Sequence, residues 1–153
     1  MMEIERKYKV AVLPQYLEQY EALEIEQGYL CASPTLRVRK VGDAFVLTVK
    51  EAVPIASTAA HNREEEFQLS PSAYAQLRAK CDGQLVTKTR YRIPLSSGEV
   101  AELDVFHGRH EGLCLVEVEF GSTAEADRFV KPAWFGDDVS SEPAYRNVAL
   151  AGL

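Results

Sequence analysis

The sequence predicts an α+β fold built on one antiparallel β-sheet of about eight strands, with three or four helices packed against it. Apolar and polar residues alternate along eight short segments, which is the pattern of strands with one buried face. Turn sequences such as Gly42-Asp43 and Ser97-Gly98 separate pairs of these segments, as in β-hairpins. Other segments repeat apolar residues at helical spacing. With no internal repeat and no linker, the chain is predicted to form one domain over residues 1–153.

The first half of the chain is predicted to contain five strands and one helix. Strand 2–10 places Glu3, Glu5 and Lys7 on one face, because side chains alternate along a strand. Pro14 suits the first turn of a helix, which is predicted to reach about Leu23. Residues 52–62 lack periodicity and predict a flexible surface loop. The other four strands are 27–31, 35–40, 44–51 and 63–69.

The second half is predicted to contain three strands and three helices. Ser70 and Pro71 form a helix start, and Asp82-Gly83 ends that helix. Ser122 or Thr123 caps a further helix over 124–130, and the tail, 141–153, predicts a last one. The strands are 86–95, 99–106 and 113–120.

Composition excludes several classes of protein. The net charge of −6 argues against a protein that coats nucleic acid by bulk charge, so a nucleic-acid partner is not expected. No apolar run approaches about 18 residues, so no membrane span is expected. Three separated cysteines without a C-x-x-C motif, and an acidic N-terminus without an apolar signal core, indicate reduced thiols and a cytoplasmic protein.

One face of the predicted sheet is unusually rich in charge. Fifteen charged residues oppose the apolar face on their strands: Glu3, Glu5, Lys7, Arg37, Arg39, Lys50, Glu64, Glu66, Lys88, Arg90, Arg92, Glu102, Asp104, Glu117 and Glu119. An open sheet could expose this face to water, with weak cross-strand ion pairs. Alternatively, a closed eight-stranded antiparallel β-barrel could turn it inward, with the helices outside. This face carries many charged residues and few neutral polar ones, which favours the closed barrel over the solvated sheet.

The balance of charge on this face indicates a ligand. Eight acids and seven bases sum to −1, and two divalent cations would change that sum to +3. Arginine binds phosphate in a bidentate manner, and lysine contacts it as a point charge. Paired carboxylates suit Mg²⁺ or Mn²⁺, which prefer oxygen ligands. The pattern therefore points to phosphoryl transfer with a compact polyphosphate.

An ordered set of motifs resembles the CYTH superfamily, the triphosphate tunnel metalloenzymes. Met2-Glu3-Ile4-Glu5-Arg6-Lys7-Tyr8 is similar to the E-x-E-x-K signature of that family. The similarity continues along nearly the whole chain, through Gln27-Gly28-Tyr29-Leu30, Arg37-Val38-Arg39, Leu47-Thr48-Val49-Lys50, Lys88-Thr89-Arg90-Tyr91, Glu102-Leu103-Asp104-Val105-Phe106, Val116-Glu117-Val118-Glu119 and Tyr145-Arg146-Asn147. The resemblance implies an eight-stranded tunnel barrel. Similarity to short bacterial members favours an inorganic triphosphatase.

The resemblance also implies roles for individual residues. Metal ligands are expected at Glu3, Glu5, Glu117 and Glu119, with Mg²⁺ or Mn²⁺ as cofactor. Catalytic roles, as ligands of a second ion or in orienting the attacking water, are expected at Glu64, Asp104 and Glu117, supported by Glu66 and Glu102. Contacts with the triphosphate are expected from Lys7, Arg37, Arg39, Lys50, Lys88 and Arg90. A one-residue register slip in 63–69 would place Glu65 inside instead of Glu64 and Glu66.

Three functions remain open at this point. The first is hydrolysis of tripolyphosphate by a metal-activated water inside the tunnel, with thiamine triphosphate and ATP as further substrates. The second is an adenylyl cyclase on the same barrel, which needs a base-recognising surface that the sequence does not reveal. The third is a non-enzymatic module that binds polyphosphate or a nucleotide. Assembly as a homodimer is possible in each case.

Overall fold

The computed structural model describes all residues, 1–153, and contains nine strands and three short α-helices. The strands are β1 (Met2–Val10), β2 (Glu21–Cys31), β3 (Thr35–Val41), β4 (Ala44–Ala52), β5 (Ala60–Gln68), β6 (Asp82–Pro94), β7 (Val100–Phe106), β8 (Cys114–Phe120) and β9 (Phe135–Asp138). The helices are α1 (Pro71–Arg78), α2 (Thr123–Arg128) and α3 (Asn147–Leu150). The α+β class predicted from the sequence is confirmed.

Eight of the strands close into an antiparallel barrel. Their order is β5-β4-β3-β2-β6-β7-β8-β1, and β1 pairs back onto β5. Closure leaves no long free edge in these eight strands, and it encloses the charged face. The closed barrel is therefore the correct alternative, and the open, solvated sheet is wrong.

Strand β1 closes the barrel with only its first half. Residues Met2 to Glu5 pair with β5, whereas Tyr8 and Val10 pair with β9 on the same edge. The ninth strand, which the sequence analysis did not predict, thus fills the edge that β5 leaves. The backbone of Lys7 continues this contact, because its N–H donates to Ser140 Oγ at 2.9 Å.

The main hydrophobic core lies outside the barrel wall. Outward-facing residues of β1, β6, β7 and β8 pack beneath α2 and β9, with Leu103, Val116 and Val118 fully buried. Phe135 of β9 stacks against Tyr8 with ring centroids 5.0 Å apart. On the other side, Tyr74 of α1 packs on Phe45 of β4 at 4.9 Å. These exterior contacts fix the strands whose other faces carry the charged residues.

A second, smaller core lies inside the barrel at one end. Tyr29, Val86, Phe106 and Leu115 occupy inward positions on β2, β6, β7 and β8. Val139, Ala151 and partly buried residues of the C-terminal segment complete the cluster. We call this cluster the apolar plug. The interior is therefore charged along part of its length and apolar at this end.

The helix predicted over residues 14–23 is wrong. The chain forms a single 3₁₀ turn at Leu17–Gln19 and then enters β2 at Glu21, so this strand begins six residues before the predicted start at Gln27. Residues Glu21 to Gln27 pair with β6. Backbone pairing with a strand 59 to 71 residues away has therefore overridden a local helical stripe.

The remaining differences concern the helices. Ser70 and Ser122 cap α1 and α2 as predicted, with their hydroxyls accepting from Ala73 and Glu125 backbone N–H groups at 3.1 Å. The predicted long helix over 141–153 is wrong in length, since only a 3₁₀ turn at Pro143–Tyr145 and α3 form. None of the helices has the length and apolar character that crossing a lipid bilayer requires.

Candidate active site

The barrel encloses a cavity of about 970 Å³ whose wall carries most of the predicted charged face. Twelve of the fifteen residues line it: Glu3, Glu5, Lys7, Arg37, Arg39, Lys50, Glu64, Glu66, Arg90, Glu102, Glu117 and Glu119. Glu64 and Glu66 point inward, while Glu65 is exposed and contacts the N-terminal amine at 3.3 Å. The predicted register of β5 is therefore correct, and the alternative slip is excluded.

The other three residues lie elsewhere. Arg92 is exposed on β6 and does not line the cavity. Lys88 and Asp104 face the barrel interior but are buried and do not line the cavity, and Lys88 Nζ and Asp104 Oδ2 are 2.7 Å apart. Arg90 donates to the same carboxylate from Nε at 2.8 Å and from Nη2 at 3.0 Å. Asp104 thus holds Arg90 in the wall of the cavity, with its two oxygens already engaged.

Three carboxylates form an acidic cluster at one side of the cavity. Oxygen atoms of Glu3, Glu5 and Glu119 lie within 4.8 Å of one another. Strands β1 and β8 produce this arrangement, because Glu5 and Glu119 are direct cross-strand partners and Glu3 is two residues along. Burial, followed by repulsion from Glu117, raises the pKa of Glu5 to about 8. We call these three residues the acidic cluster.

Lys50 is the cation that contacts the acidic cluster. Its Nζ lies 2.7 Å from Glu3 Oε1 and 3.5 Å from Glu5 Oε1, and Glu64 Oε2 is 3.9 Å away. Burial alone lowers the pKa of this ammonium, but the nearby Glu5 and Glu3 carboxylates outweigh burial and raise it. Lys50 is therefore fully protonated at neutral pH and compensates the negative charge of the cluster.

Arginines dominate another part of the wall. Arg37 and Arg39 alternate on β3, and the buried Nε of each lacks a hydrogen-bond partner. Burial and the neighbouring charges of Arg37 and Arg90 lower the pKa of Arg39 to about 10. Glu66 offsets part of this charge, with an oxygen 3.3 Å from Arg39 Nη2. Buried donors without partners, in a region of mutual repulsion, form a site suited to an anion.

Glu117 lies between the acidic cluster and the arginine-rich part of the cavity wall. Its carboxylate is 3.3 Å from Lys7 Nζ. Burial raises the pKa of Glu117, but Lys7, Arg90 and Lys88 lower it by more, so the group stays ionised. Lys7 also donates to the backbone oxygen of Tyr145 at 2.9 Å, which ties the C-terminal segment to the cavity.

Several residues of the cavity were not found from the sequence. The loop between β4 and β5 lines it with Val53, Ile55 and residues 57–59, although the sequence indicated a flexible surface loop. Arg146, which belongs to the Tyr145-Arg146-Asn147 motif but was given no role from the sequence, also lines the cavity, from the C-terminal segment. Neither region has a charge pattern or a periodicity that would have assigned it to the interior.

Arg6 fixes that loop from outside the barrel. Its guanidinium donates to Thr58 Oγ1 at 2.9 Å, Asp138 Oδ2 at 3.0 Å and Ala126 O at 2.8 Å. Asp127 accepts a further bond from Arg6 at 3.3 Å. The β4–β5 loop, α2 and β9 are thereby joined through one buried side chain.

The fold and the site together define a tunnel-type β-barrel with an acidic cluster and an arginine-rich wall around one cavity. Comparison with known proteins agrees. An inorganic triphosphatase of Nitrosomonas europaea is 39% identical over 155 residues, covering 99% of this chain and 97% of that protein. An inorganic triphosphatase of Acetivibrio thermocellus is 32% identical, covering 97% and 92%. No family model matches the chain.

Solved structures show the same architecture. The crystal structure of the inorganic triphosphatase NE1496 superposes with a TM-score of 0.71 at 38% identity, covering 97% of this chain and 93% of that one. The HpAC1 barrel from Hippeastrum superposes with a TM-score of 0.62 at 16% identity over 82% of each chain, which shows the shared fold alone. The chain belongs to the CYTH-type triphosphatase family, and the resemblance found in the sequence is confirmed.

Proposed function

We propose that this protein hydrolyses inorganic triphosphate inside the barrel cavity with the help of a divalent cation. One observation carries the proposal: a single cavity contains both a cluster of three carboxylates and two arginines, Arg37 and Arg39, whose buried Nε atoms lack hydrogen-bond partners. A cation and a polyanion can therefore bind side by side. The two relatives with 39% and 32% identity are both inorganic triphosphatases, which supports tripolyphosphate as the substrate.

The acidic cluster fits a hard divalent cation. Its carboxylate oxygens converge within 4.8 Å, and oxygen ligands are those that Mg²⁺ and Mn²⁺ prefer. We assign Glu3, Glu5 and Glu119 as ligands, with Glu117 next to them on β8. When bound, such a cation supplies Lewis-acid stabilisation to phosphate oxygens.

The basic residues would hold the substrate. Arg37, Arg39 and Arg90 present guanidinium groups suited to bidentate phosphate contacts, and Lys7 and Lys50 supply point charges. Asp104 keeps Arg90 in place. Lys88, buried inside the barrel beside the apolar plug, would contribute its charge without lining the cavity, and it donates to Asn147 Oδ1 at 3.1 Å. These fixed charges would stabilise the negative charge that develops during phosphoryl transfer.

Glu64 is our candidate for orienting the attacking water. It is buried on β5, and its Oε2 has no hydrogen-bond partner, so this oxygen can accept a hydrogen bond from a water molecule. The water oxygen would attack a terminal phosphorus in line with the bridging oxygen that leaves. The P–O bond to that oxygen breaks, the proton lost by the water passes to the departing diphosphate or to solvent, and the products are phosphate and diphosphate.

Two other functions give different outcomes in the same assay. An adenylyl cyclase would convert ATP mainly to cyclic AMP, and a binding module would bind tripolyphosphate without turnover. Tripolyphosphate, ATP and thiamine triphosphate are incubated separately with the protein in Mg²⁺, in Mn²⁺ and in EDTA, and phosphate and cyclic AMP are measured. We expect metal-dependent phosphate release with tripolyphosphate as the preferred substrate. Full activity in EDTA contradicts the metal assignment, and cyclic AMP as the chief ATP product contradicts hydrolysis.

A further inference from the structure

We propose that Lys50 occupies the place of the divalent cation among the glutamates and moves to the substrate phosphates when that cation binds. This inference rests on the proposed function, and it adds an order to the binding events. The same ammonium group would serve first as a stand-in for the metal charge and then as a substrate contact.

The position of Lys50 is the first observation. Its Nζ lies at hydrogen-bonding distance from an oxygen of Glu3, at 2.7 Å, and it lies 3.5 Å from an oxygen of Glu5. These two residues supply two of the three oxygens that converge in the acidic cluster. Lys50 reaches them from β4 across β5, since Lys50 pairs with Glu64 and β5 pairs with β1. No other lysine or arginine lies within 4.0 Å of Glu3 or Glu5 oxygens.

A divalent ion and this ammonium compete for the same carboxylates. Both are positive, and a divalent ion needs ligand oxygens at about 2.0–2.6 Å, which leaves no room for a lysine hydrogen bond on the same lone pairs. We expect binding of the ion to displace Lys50 Nζ from these carboxylates. The four-carbon stem of lysine permits such a movement without a change in the strand.

The surroundings of Lys50 indicate where it goes. Arg37 is close enough for its charge to oppose that of Lys50, and it lines the same cavity. A displaced ammonium would meet this basic wall and be repelled unless an anion is present. A polyphosphate supplies that anion, so the cation and the substrate should each strengthen the binding of the other.

Metal binding to the protein without substrate is the direct test. Mn²⁺ titrations by calorimetry compare the wild type with Lys50→Met and with Lys7→Met. The second variant loses the same charge from the cavity but contacts Glu117 and not the acidic cluster. We expect Lys50→Met to bind Mn²⁺ about tenfold more tightly than Lys7→Met, equivalent to about 1.4 kcal/mol. Equal affinities in the two variants would overturn the exchange.

A second measurement uses the wild type, so it does not depend on the folding of a variant. The ¹⁵Nζ signal of Lys50, assigned by its loss in Lys50→Arg, is followed during a Mg²⁺ titration. We expect it to shift and to lose protection from hydrogen exchange, while the Lys88 signal stays unchanged. A Lys50 signal that keeps its position at saturating Mg²⁺ contradicts the proposal.

Glu3→Gln separates this inference from the proposed function. If Glu3→Gln binds Mn²⁺ as tightly as the wild type, the cation does not bind at the acidic cluster, and both proposals fail. If Glu3→Gln weakens Mn²⁺ binding but Lys50→Met behaves like Lys7→Met, the metal site stands and the exchange alone is rejected. The expected cooperativity between cation binding and substrate binding is tested by repeating the Mn²⁺ titration with imidotriphosphate present. An unchanged Mn²⁺ affinity counts against the exchange.

Discussion

Replacing Arg6 by methionine should destabilise the barrel and loosen the β4–β5 loop over the cavity. Arg6 is only 8% exposed, and its guanidinium contacts three separate segments: the loop at Thr58, the end of α2 at Ala126 and β9 at Asp138. Methionine replaces the aliphatic stem of arginine and lacks the guanidinium group, so it removes these hydrogen bonds while the packing of the stem is kept. The change therefore isolates the polar contacts.

The contacts of Arg6 allow the cost to be estimated. The buried bond from a charged donor to Ala126 O contributes about 1.5–3 kcal/mol, and the bond to Thr58 about 1 kcal/mol. The carboxylates of Asp127 and Asp138 are 49% and 37% exposed, so solvent screens these two ion pairs to about 0.5 kcal/mol each at most. We expect a total loss of about 2.5–5 kcal/mol in the free energy of unfolding.

Urea denaturation followed by circular dichroism measures that loss, with Arg92→Met as the control. Arg92 is exposed and has no side-chain partner within bonding distance, so its variant should stay within about 0.5 kcal/mol of the wild type. A double-mutant cycle with Thr58→Val should show a coupling of about 1 kcal/mol. An Arg6→Met protein as stable as Arg92→Met would refute the role of Arg6 as the link between these segments.

Three further predictions address the cavity and the helices. Arg37→Met should raise the KM for tripolyphosphate about tenfold or more while the fold is kept, because we propose that Arg37 binds a substrate phosphate. Arg92→Met again serves as the control, and equal KM values would contradict the assignment. Burial lowers the pKa of Lys88 to about 8 in the folded state, below the unfolded value of 10.5, so the contribution of this group to stability is lost as pH falls through 8. We therefore expect the free energy of unfolding of the wild type, relative to that of Lys88→Met, to rise by at most about 2 kcal/mol between pH 7.5 and pH 9.5. Denaturation curves that give the same difference between the two proteins at both pH values would count against this prediction. Ser70→Ala should lower the free energy of unfolding by about 1 kcal/mol, because the N-terminal cap of α1 is removed; thermal melts of the variant and of Ser97→Ala check this.

The charged face was predictable because it obeys a local rule. Side chains alternate strictly along a strand, so the sequence alone places Glu64 and Glu66 on one face and Glu65 on the other. Strand β2 did not fit this rule, because its inward residues are Leu23, Ile25, Gln27 and Tyr29 rather than charged ones. Its first three residues, Glu21 to Leu23, were consequently assigned to the predicted helix, and the strand was predicted to begin only at Gln27.

The parts of the site that could not be predicted depend on contacts between distant residues. The residues of the apolar plug occupy inward positions on the same strands that carry the charged residues. The alternation of side chains along a strand therefore cannot show which inward positions line the cavity and which pack in the plug. Arg6 lies on the apolar face of β1, and its partners Thr58 and Ala126 are 52 and 120 residues away. Only the closed barrel, with α2 and β9 packed on it, brings these groups together.

Tripolyphosphate hydrolysis by Glu5→Gln is the most direct test of the central claim, that the acidic cluster holds a catalytic cation. Glutamine keeps the size of the side chain but removes the charge that the cation requires. Exposed Glu21, at the start of β2 and outside the cavity, provides the matched control Glu21→Gln. We expect Glu5→Gln to fold, to bind Mn²⁺ at least tenfold more weakly, about 1.4 kcal/mol, and to lose Mg²⁺- and Mn²⁺-dependent phosphate release, whereas Glu21→Gln matches the wild type. Phosphate release by Glu5→Gln at the wild-type rate would contradict the account.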